Sequence, residues 1–314
     1  MIRAPIDVRW AYPVRKSKRQ KAAFREAAAD YLCSLGYAVT VEKGSLGTRN
    51  LLAGDPDRAR CLITAHYDTC AVMPVPNVIT PRNLWLFAGY QLLLTALLFL
   101  VPLAAAWLLA ARIGLSSALY LFDALLLLEL ALMFFGPANP HCDNDNTSGV
   151  VAVLKMAESL PENMRDRVCF VLFDGEELGM LGSAGYAATH KQSIPQQLVL
   201  NLDCVGDGDE IWLFPTRKLR KDERQLDELC ACVGQFGGKK ICVHRRGFSI
   251  YPSDQMSFPL GVGICSLKRG RLGLYLDKIH TPRDRNLDET NCNLLCAAIL
   301  SLICAPQKER NPEK

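Results

Sequence analysis

No C-x-x-C pair occurs among the 13 cysteines of this chain; the tightest spacings are Cys230-Ala-Cys232 and Cys292-x-x-x-Cys296. That absence, with the odd total, argues against a disulfide framework or a cysteine-rich metal module and points to small buried hydrophobes in a reducing compartment. The first 60 residues hold no apolar h-region, so no signal peptide is expected and the start of the chain is expected in the cytosol. Acidic residues are scarce there too. Within residues 1–25 Asp7 stands alone against eight Lys or Arg: Arg3, Arg9, Arg15, Lys16, Lys18, Arg19, Lys21 and Arg25. This run carries no nucleic-acid module signature, so nucleic acid is not an expected partner and anionic lipid is the better match. Histidine occurs only five times, so any imidazole-based site has few residues to draw on.

Charge is missing most conspicuously from residues 84–111, a run of 28 without a single ionisable Asp, Glu, Lys or Arg. At about 1.5 Å per residue this crosses a bilayer core of about 30 Å. Residues 113–136 are nearly as apolar but contain Asp123 and Glu129, each costing roughly 2.5–3.5 kcal/mol near the membrane centre. Arg112, Gly114, Ser116 and Ser117 supply a turn, so the pair is expected to be a helical hairpin and a membrane anchor. A buried hairpin, a lid or a homodimer interface is the alternative. Of residues 84–136, 42 of 53 are apolar, whereas the chain as a whole is 50% hydrophobic and 22% charged. Outside the insert about 44% is apolar and about 25% charged, close to an ordinary globular domain. The expected organisation is one discontinuous domain, 1–83 and 138–314, interrupted by a hairpin at 84–137.

On both sides of the insert, helix and strand patterns alternate. Residues 17–35 carry Ala, Phe and Leu at helical spacing and stop at Gly36. YAVTVEK, NLLAG and RCLITAHYD read as strands; TSGVVAVLKMAESL reads as a helix, and VCFVLFDG, LVLNLDCVG, EIWLF, KKICVHR and GVGICSL as further strands. DERQLDELCACVGQFG and NLDETNCNLLCAAILSLICA close the pattern as helices. The expectation is an α/β fold, a three-layer α/β/α sandwich with a mostly parallel central mixed sheet, whose site lies at the carboxyl ends of its strands.

Five segments gather His, Asp and Glu at those strand ends: Ala65-His66-Tyr67-Asp68-Thr69, Asn144-Asp145-Asn146-Thr147-Ser148-Gly149, Asp174-Gly175-Glu176-Glu177-Leu178-Gly179, Asn201-Leu202-Asp203 and Ile279-His280-Thr281-Pro282. Carboxylates combined with two imidazoles suit zinc, with cobalt or manganese as alternatives. In order and in flanking residues, including GEELGMLGS and DNTSG, the set resembles the dizinc metallopeptidase family of aminopeptidases, glutamate carboxypeptidases and glutaminyl cyclases. The resemblance covers roughly residues 17–83 and 138–304 and departs from the family at the insert.

The resemblance implies a zinc-exopeptidase fold and two Zn2+ ions. His66 and Asp203 would bind one, Glu177 and His280 the other, and Asp145 would bridge them, with a bridging hydroxide as nucleophile. Glu176 would be the general base, and Asp68, two residues after His66, would orient its imidazole. His141, Cys142 and Asp143 are read as loop residues, because the motif aligns Asp145 as the bridge. Tyr251, Asp254 and Phe258 sit in a segment resembling the one that lines the family's pocket and are expected near a peptide substrate. Arg245, Arg246 and Arg269 could meet a carboxylate.

This reading constrains the insert, since His66 precedes it and the other ligands follow it: a membrane hairpin must cross an even number of times. Eight basic residues near the start and Arg112 alone in the turn place the catalytic domain in the cytoplasm. The expected activity is a metal-dependent exopeptidase, foremost an aminopeptidase. A single-zinc glutaminyl cyclase and a noncatalytic membrane scaffold are the alternatives.

Overall fold

A computed structural model describes residues 1–233, 238–271 and 273–305; the end of the expected segment DERQLDELCACVGQFG and the Cys232 side chain lie outside what is described. The strands are β1 (Val39–Lys43), β2 (Arg49–Ala53), β3 (Cys61–His66), β4 (Asn77–Ile79), β5 (Val168–Phe173), β6 (Leu198–Leu202), β7 (Glu210–Pro215), β8 (Lys240–Val243), β9 (Gly261–Gly270) and β10 (Gly273–Ile279). The helices are α1 (Asp7–Ala11), α2 (Lys18–Ser34), α3 (Leu84–Ile113), α4 (Leu115–Phe135), α5 (Gly149–Ser159), α6 (Leu181–Thr189), α7 (Glu223–Val233) and α8 (Glu289–Cys304). The strands form one ten-stranded sheet in the order β1-β2-β5-β3-β6-β9-β10-β4, with β7 and β8 off that path. Its centre, β5-β3-β6-β9, is parallel, and its margins are antiparallel except for the parallel pair β7-β8. The expected α/β/α sandwich with a mostly parallel core is what forms.

Period-two alternation assigns the two faces. Ile63 and Ala65 of β3 and Phe170 and Leu172 of β5 join Phe24 of α2, Val150 to Leu154 of α5 and Leu295 of α8 in the main core. The intervening Leu62, Cys169, Val171 and Phe173 pack against Tyr186 of α6 and Phe258. Ser17 caps α2 in a capping box with Gln20, which fixes its start beside the basic segment.

Four elements were not legible in the sequence: α1, β4, β10 and α6. β9 continues past Ile264, the residue level with Leu202, to Gly270, and β10 turns back toward the carboxyl edge of the parallel strands. This return delivers His280.

The insert forms two antiparallel helices of 30 and 21 residues, both long and apolar enough to cross a membrane. They meet at Gly114, whose φ of 83° lets the chain reverse in a single residue. Their outer surfaces are apolar: Leu92 is 70% exposed and Trp107 75%. The entering and leaving chains are stitched together at the base, where Ala71 bridges Ala138 and the Val72 amide donates to the Pro137 carbonyl at 2.9 Å. Lys16 donates to the Phe134 carbonyl at 2.7 Å, binding the basic segment to the end of α4.

Candidate metal centre

The carboxyl edge of the parallel strands collects the five motifs. His66 is the last residue of β3, Asp203 follows β6, and Glu176 and Glu177 lie just past β5. The loop 143–148 lies beside them because its amide side chains are tied to β6. Asn146 Nδ2 donates to the Leu202 carbonyl at 2.9 Å, and Asn144 Oδ1 accepts the Gly206 and Asp207 amides at 2.8 and 2.9 Å. Gly175 adopts φ 76°, and a Cβ there would meet Thr48 Cγ2 at 2.9 Å, so this turn requires glycine. The turn aims two backbone amides at one carboxylate: Glu176 N and Glu177 N donate to the two oxygens of Asp68 at 3.1 and 3.2 Å.

Asp145 is the centre of the arrangement. Its Oδ1 lies 3.3 Å from His66 Nε2 and its Oδ2 lies 3.1 Å from His280 Nε2, so each oxygen faces a different imidazole. His66 Nε2 is also 3.6 Å from Asp203 Oδ1, and His280 Nε2 is 3.4 Å from Glu177 Oε2. Glu176 Oε2 stands 4.0 Å from His66 Nε2. Donor atoms of His66, Asp145 and Asp203 lie within 4.8 Å of one another, as do those of Cys70, Glu177 and His280, and those of His66, Glu176 and Glu177.

The electrostatics are those of a site built for cations. His66 Nε2, Asp203 Oδ1 and Glu177 Oε1 are buried without a hydrogen-bond partner among the described residues, a costly state unless an ion meets them. Burial pushes the Glu176 and Glu177 carboxyls well above their ordinary range. Burial also works against ionised Asp145, but His280 and His66 outweigh it and hold this carboxyl low. The residues present therefore fit metal ions: crowded carboxylates and two imidazoles aim unpartnered atoms inward, where positive charge relieves their repulsion.

The sequence-predicted residues fare differently. His66, Asp145, Glu176, Glu177, Asp203 and His280 are brought together. Asp68 lies past the end of β3 and meets the His66 ring twice, its carbonyl 3.2 Å and its carboxylate 3.7 Å from Nδ1. The same carboxylate also holds the Glu176 and Glu177 amides. Phe258 is a core residue, stacked on Phe173 at 5.9 Å between centroids and 2% exposed. Tyr251 is buried and donates to the Asp203 carbonyl at 2.9 Å, bracing a strand end from behind. Asp254 is fully buried, and burial pushes it up to about 7. Arg245 and Arg269 are engaged on the surface by Asp227 and Glu210.

Three contributors went unseen in the sequence. Asp284 accepts the Asn144 and Asp145 amides, both at 2.9 Å, and so sets the loop that carries the central carboxylate; its signal was its place four residues after His280. Arg15 is fully buried and reaches the Tyr67 carbonyl at 2.5 Å and Thr147 Oγ1 at 3.1 Å, joining the end of β3 to that loop. Cys70 brings a sulfur to the His280 side. The described cysteines are all free.

A model of peptidase family M28 matches residues 136–299, just over half of the chain; Asp145, Glu176, Glu177, Asp203 and His280 fall inside the match and His66 before it. No curated protein matches in sequence. Several solved structures share the fold. A Zn-dependent exopeptidase from Parabacteroides distasonis is 15% identical, with 94% of each chain covered and a TM-score of 0.57. A leucine aminopeptidase precursor from Bacteroides thetaiotaomicron is 15% identical over 95% of this chain and 93% of that one, with a TM-score of 0.59. A glutaminyl cyclase from the same organism, bound to N-acetylhistamine, is 14% identical over 96% of each chain, again at 0.59.

Proposed function

The chain belongs to peptidase family M28, and from that premise we propose that it is a dinuclear zinc exopeptidase of aminopeptidase type, acting on peptides at a membrane surface. The observation that carries this reading is the straddling carboxylate, Asp145, with one oxygen toward each imidazole at 3.3 and 3.1 Å. His66, Asp203 and Asp145 Oδ1 would hold one ion; His280, Glu177 and Asp145 Oδ2 would hold the other. When bound, the ions supply Lewis acidity to the scissile carbonyl and acidify the attacking water.

The chain's own residues do the rest. Glu176 Oε2, raised by burial and 4.0 Å from His66 Nε2, takes the water's proton and returns it to the leaving amine. Asp68 positions this base through its backbone, since its carboxylate grips the Glu176 amide. The Asp68 carbonyl and the imidazole Nδ1 fix the His66 ring, and Asp284 holds the bridge loop in register.

Glutaminyl cyclisation is the second reading, favoured by one observation: the cyclase and the aminopeptidase precursor resemble this fold equally, at a TM-score of 0.59. In the cyclase reading one ion suffices. A noncatalytic scaffold has no use for all six convergent groups. We further propose that the hairpin of α3 and α4 anchors the protein with its catalytic domain on the cytoplasmic side, supported by the basic residues at the hairpin base.

Metal analysis of the purified protein, with a panel of aminoacyl, carboxy-terminal and N-terminal glutaminyl reporters, tests the reading. Two ions per chain and aminoacyl hydrolysis lost in Glu176→Gln are expected. One ion with cyclisation selects the second reading, and unchanged turnover in Glu176→Gln overturns the assigned base.

A further inference from the structure

The two halves of the centre are not built alike. Around His66 the converging donors are imidazole and carboxylate, whereas around His280 a sulfur stands with Glu177 and the ring nitrogen, all within 4.8 Å. Cys70 is 3% exposed, and nothing in the family motif calls for it. Its surroundings are those of a held sulfur. Asn139 Nδ2 lies 3.7 Å from Sγ and is itself held by the His141 and Thr281 carbonyls, to which it donates at 2.7 and 3.0 Å. The Asn139 amide donates to the Cys70 carbonyl at 3.1 Å. The neighbouring Glu177 Oε1 is buried with no hydrogen-bond partner among the described residues, and the Glu177 side chain is 9% exposed. A buried carboxylate oxygen without a donor, beside a thiol fixed from behind by an amide, points to a cation between them.

We propose that Cys70 is a fourth protein ligand of the second metal, completing a sulfur-containing site with Asp145, Glu177 and His280. The proposal rests on the dinuclear reading above and deepens it. On binding, the thiol proton leaves to solvent and the sulfur bonds the metal. Two consequences follow from donor count and softness. A thiolate favours zinc or cobalt over manganese in this half. Four protein donors would leave the second ion less room for water than the three of the His66 half, so the more open, substrate-facing ion would be the one beside Glu176. The place of Cys70 also ties the ion to the insert, since the next residue, Ala71, bridges Ala138 at the hairpin base.

Cobalt substitution reads this directly. The full-length protein loaded with Co2+ is expected to take up two ions per chain and to show, besides visible d–d bands, a near-ultraviolet sulfur-to-cobalt charge-transfer band. Cys70→Ser should lose that band while retaining the d–d bands, which report an intact site. Cys142→Ser, whose sulfur lies 3.9 Å from that of Cys70, should keep it. In zinc titrations Cys70→Ser should weaken the second equivalent at least about tenfold and leave the first unchanged. Two cobalt ions without a charge-transfer band in the wild type, or a band that persists in Cys70→Ser, overturns the thiolate ligand while leaving the dinuclear reading standing. Failure of the wild type to take up a second ion overturns both.

Discussion

The α/β domain and the α3–α4 hairpin bury their apolar residues in opposite senses. In the domain, Ile63, Val150 and Phe170 are at most 1% exposed and lie between layers; in the hairpin, Leu92, Trp107 and Leu108 turn 67–75% of their surface outward. The first pattern is a core stabilised by its own packing, the second an apolar surface left outside that core. Both meet at the metal centre, since the Met73 amide, at the start of the path into the hairpin, donates to the His280 carbonyl at 2.7 Å. The lesson is that a long apolar insert can interrupt a domain without disturbing its sheet, provided its two ends leave and return side by side.

The sharpest test of that separation is to remove the hairpin. Replacing residues 84–135 with a short Gly/Ser link is expected to release the protein from carbonate-washed membranes while both metals stay bound; a protein that still sediments with membranes, or loses its metals, breaks the comparison. In the other direction, Glu176→Gln should cut kcat by about 10²–10⁴-fold and leave sedimentation untouched. Ile63→Ala should destabilise the domain by about 2–5 kcal/mol. The same truncation of Leu92, which is 70% exposed, should stay within about 0.5 kcal/mol, and equal losses in denaturant melts would show that the two regions share one core.

The smallest expected effect is a pH dependence at the end of α6 in the domain. His190 sits between Asp57 (2.9 Å) and Glu42 (2.7 Å). Burial works against its charged form, but the two carboxylates outweigh it and raise its pKa. A raised folded-state value means the clasp stabilises fully below the unfolded pKa of about 6.5 and fades as pH rises through the folded one. Worth at most about 1 kcal/mol, it should make the Tm gap between wild type and His190→Gln wider at about pH 5.5 than at about pH 9. A gap that widens with pH would contradict the assignment.

Much of this was readable from local pattern. β3 and β5 are runs of β-branched and apolar residues closed by His66 and by Asp174-Gly175, and α3 declares itself by length without charge. β10 was not, because Gly273–Ile279 alternates buried and half-buried residues with Asp277 and Lys278 inside it, and its pairing with β9 and β4 is what makes it a strand. Phe258 misled for a related reason: Ser253, five positions earlier, accepts a hydrogen bond from Asn201 of β6, but the Phe258 ring turns into the packing of Phe173 and Tyr186.

By itself the sequence determined which residue types stand at each strand end, in what order, and that an apolar hairpin separates the first of them from the rest, because these depend on neighbours a few positions away. Tertiary structure decided which oxygen of Asp145 faces which imidazole, that the Asp68 carboxylate serves the Glu176 and Glu177 amides, and that Asp284, Arg15 and Cys70 belong to the same centre. His66 and His280 are 214 positions apart, and only the pairing of strands across the sheet sets the distances on which metal chemistry depends.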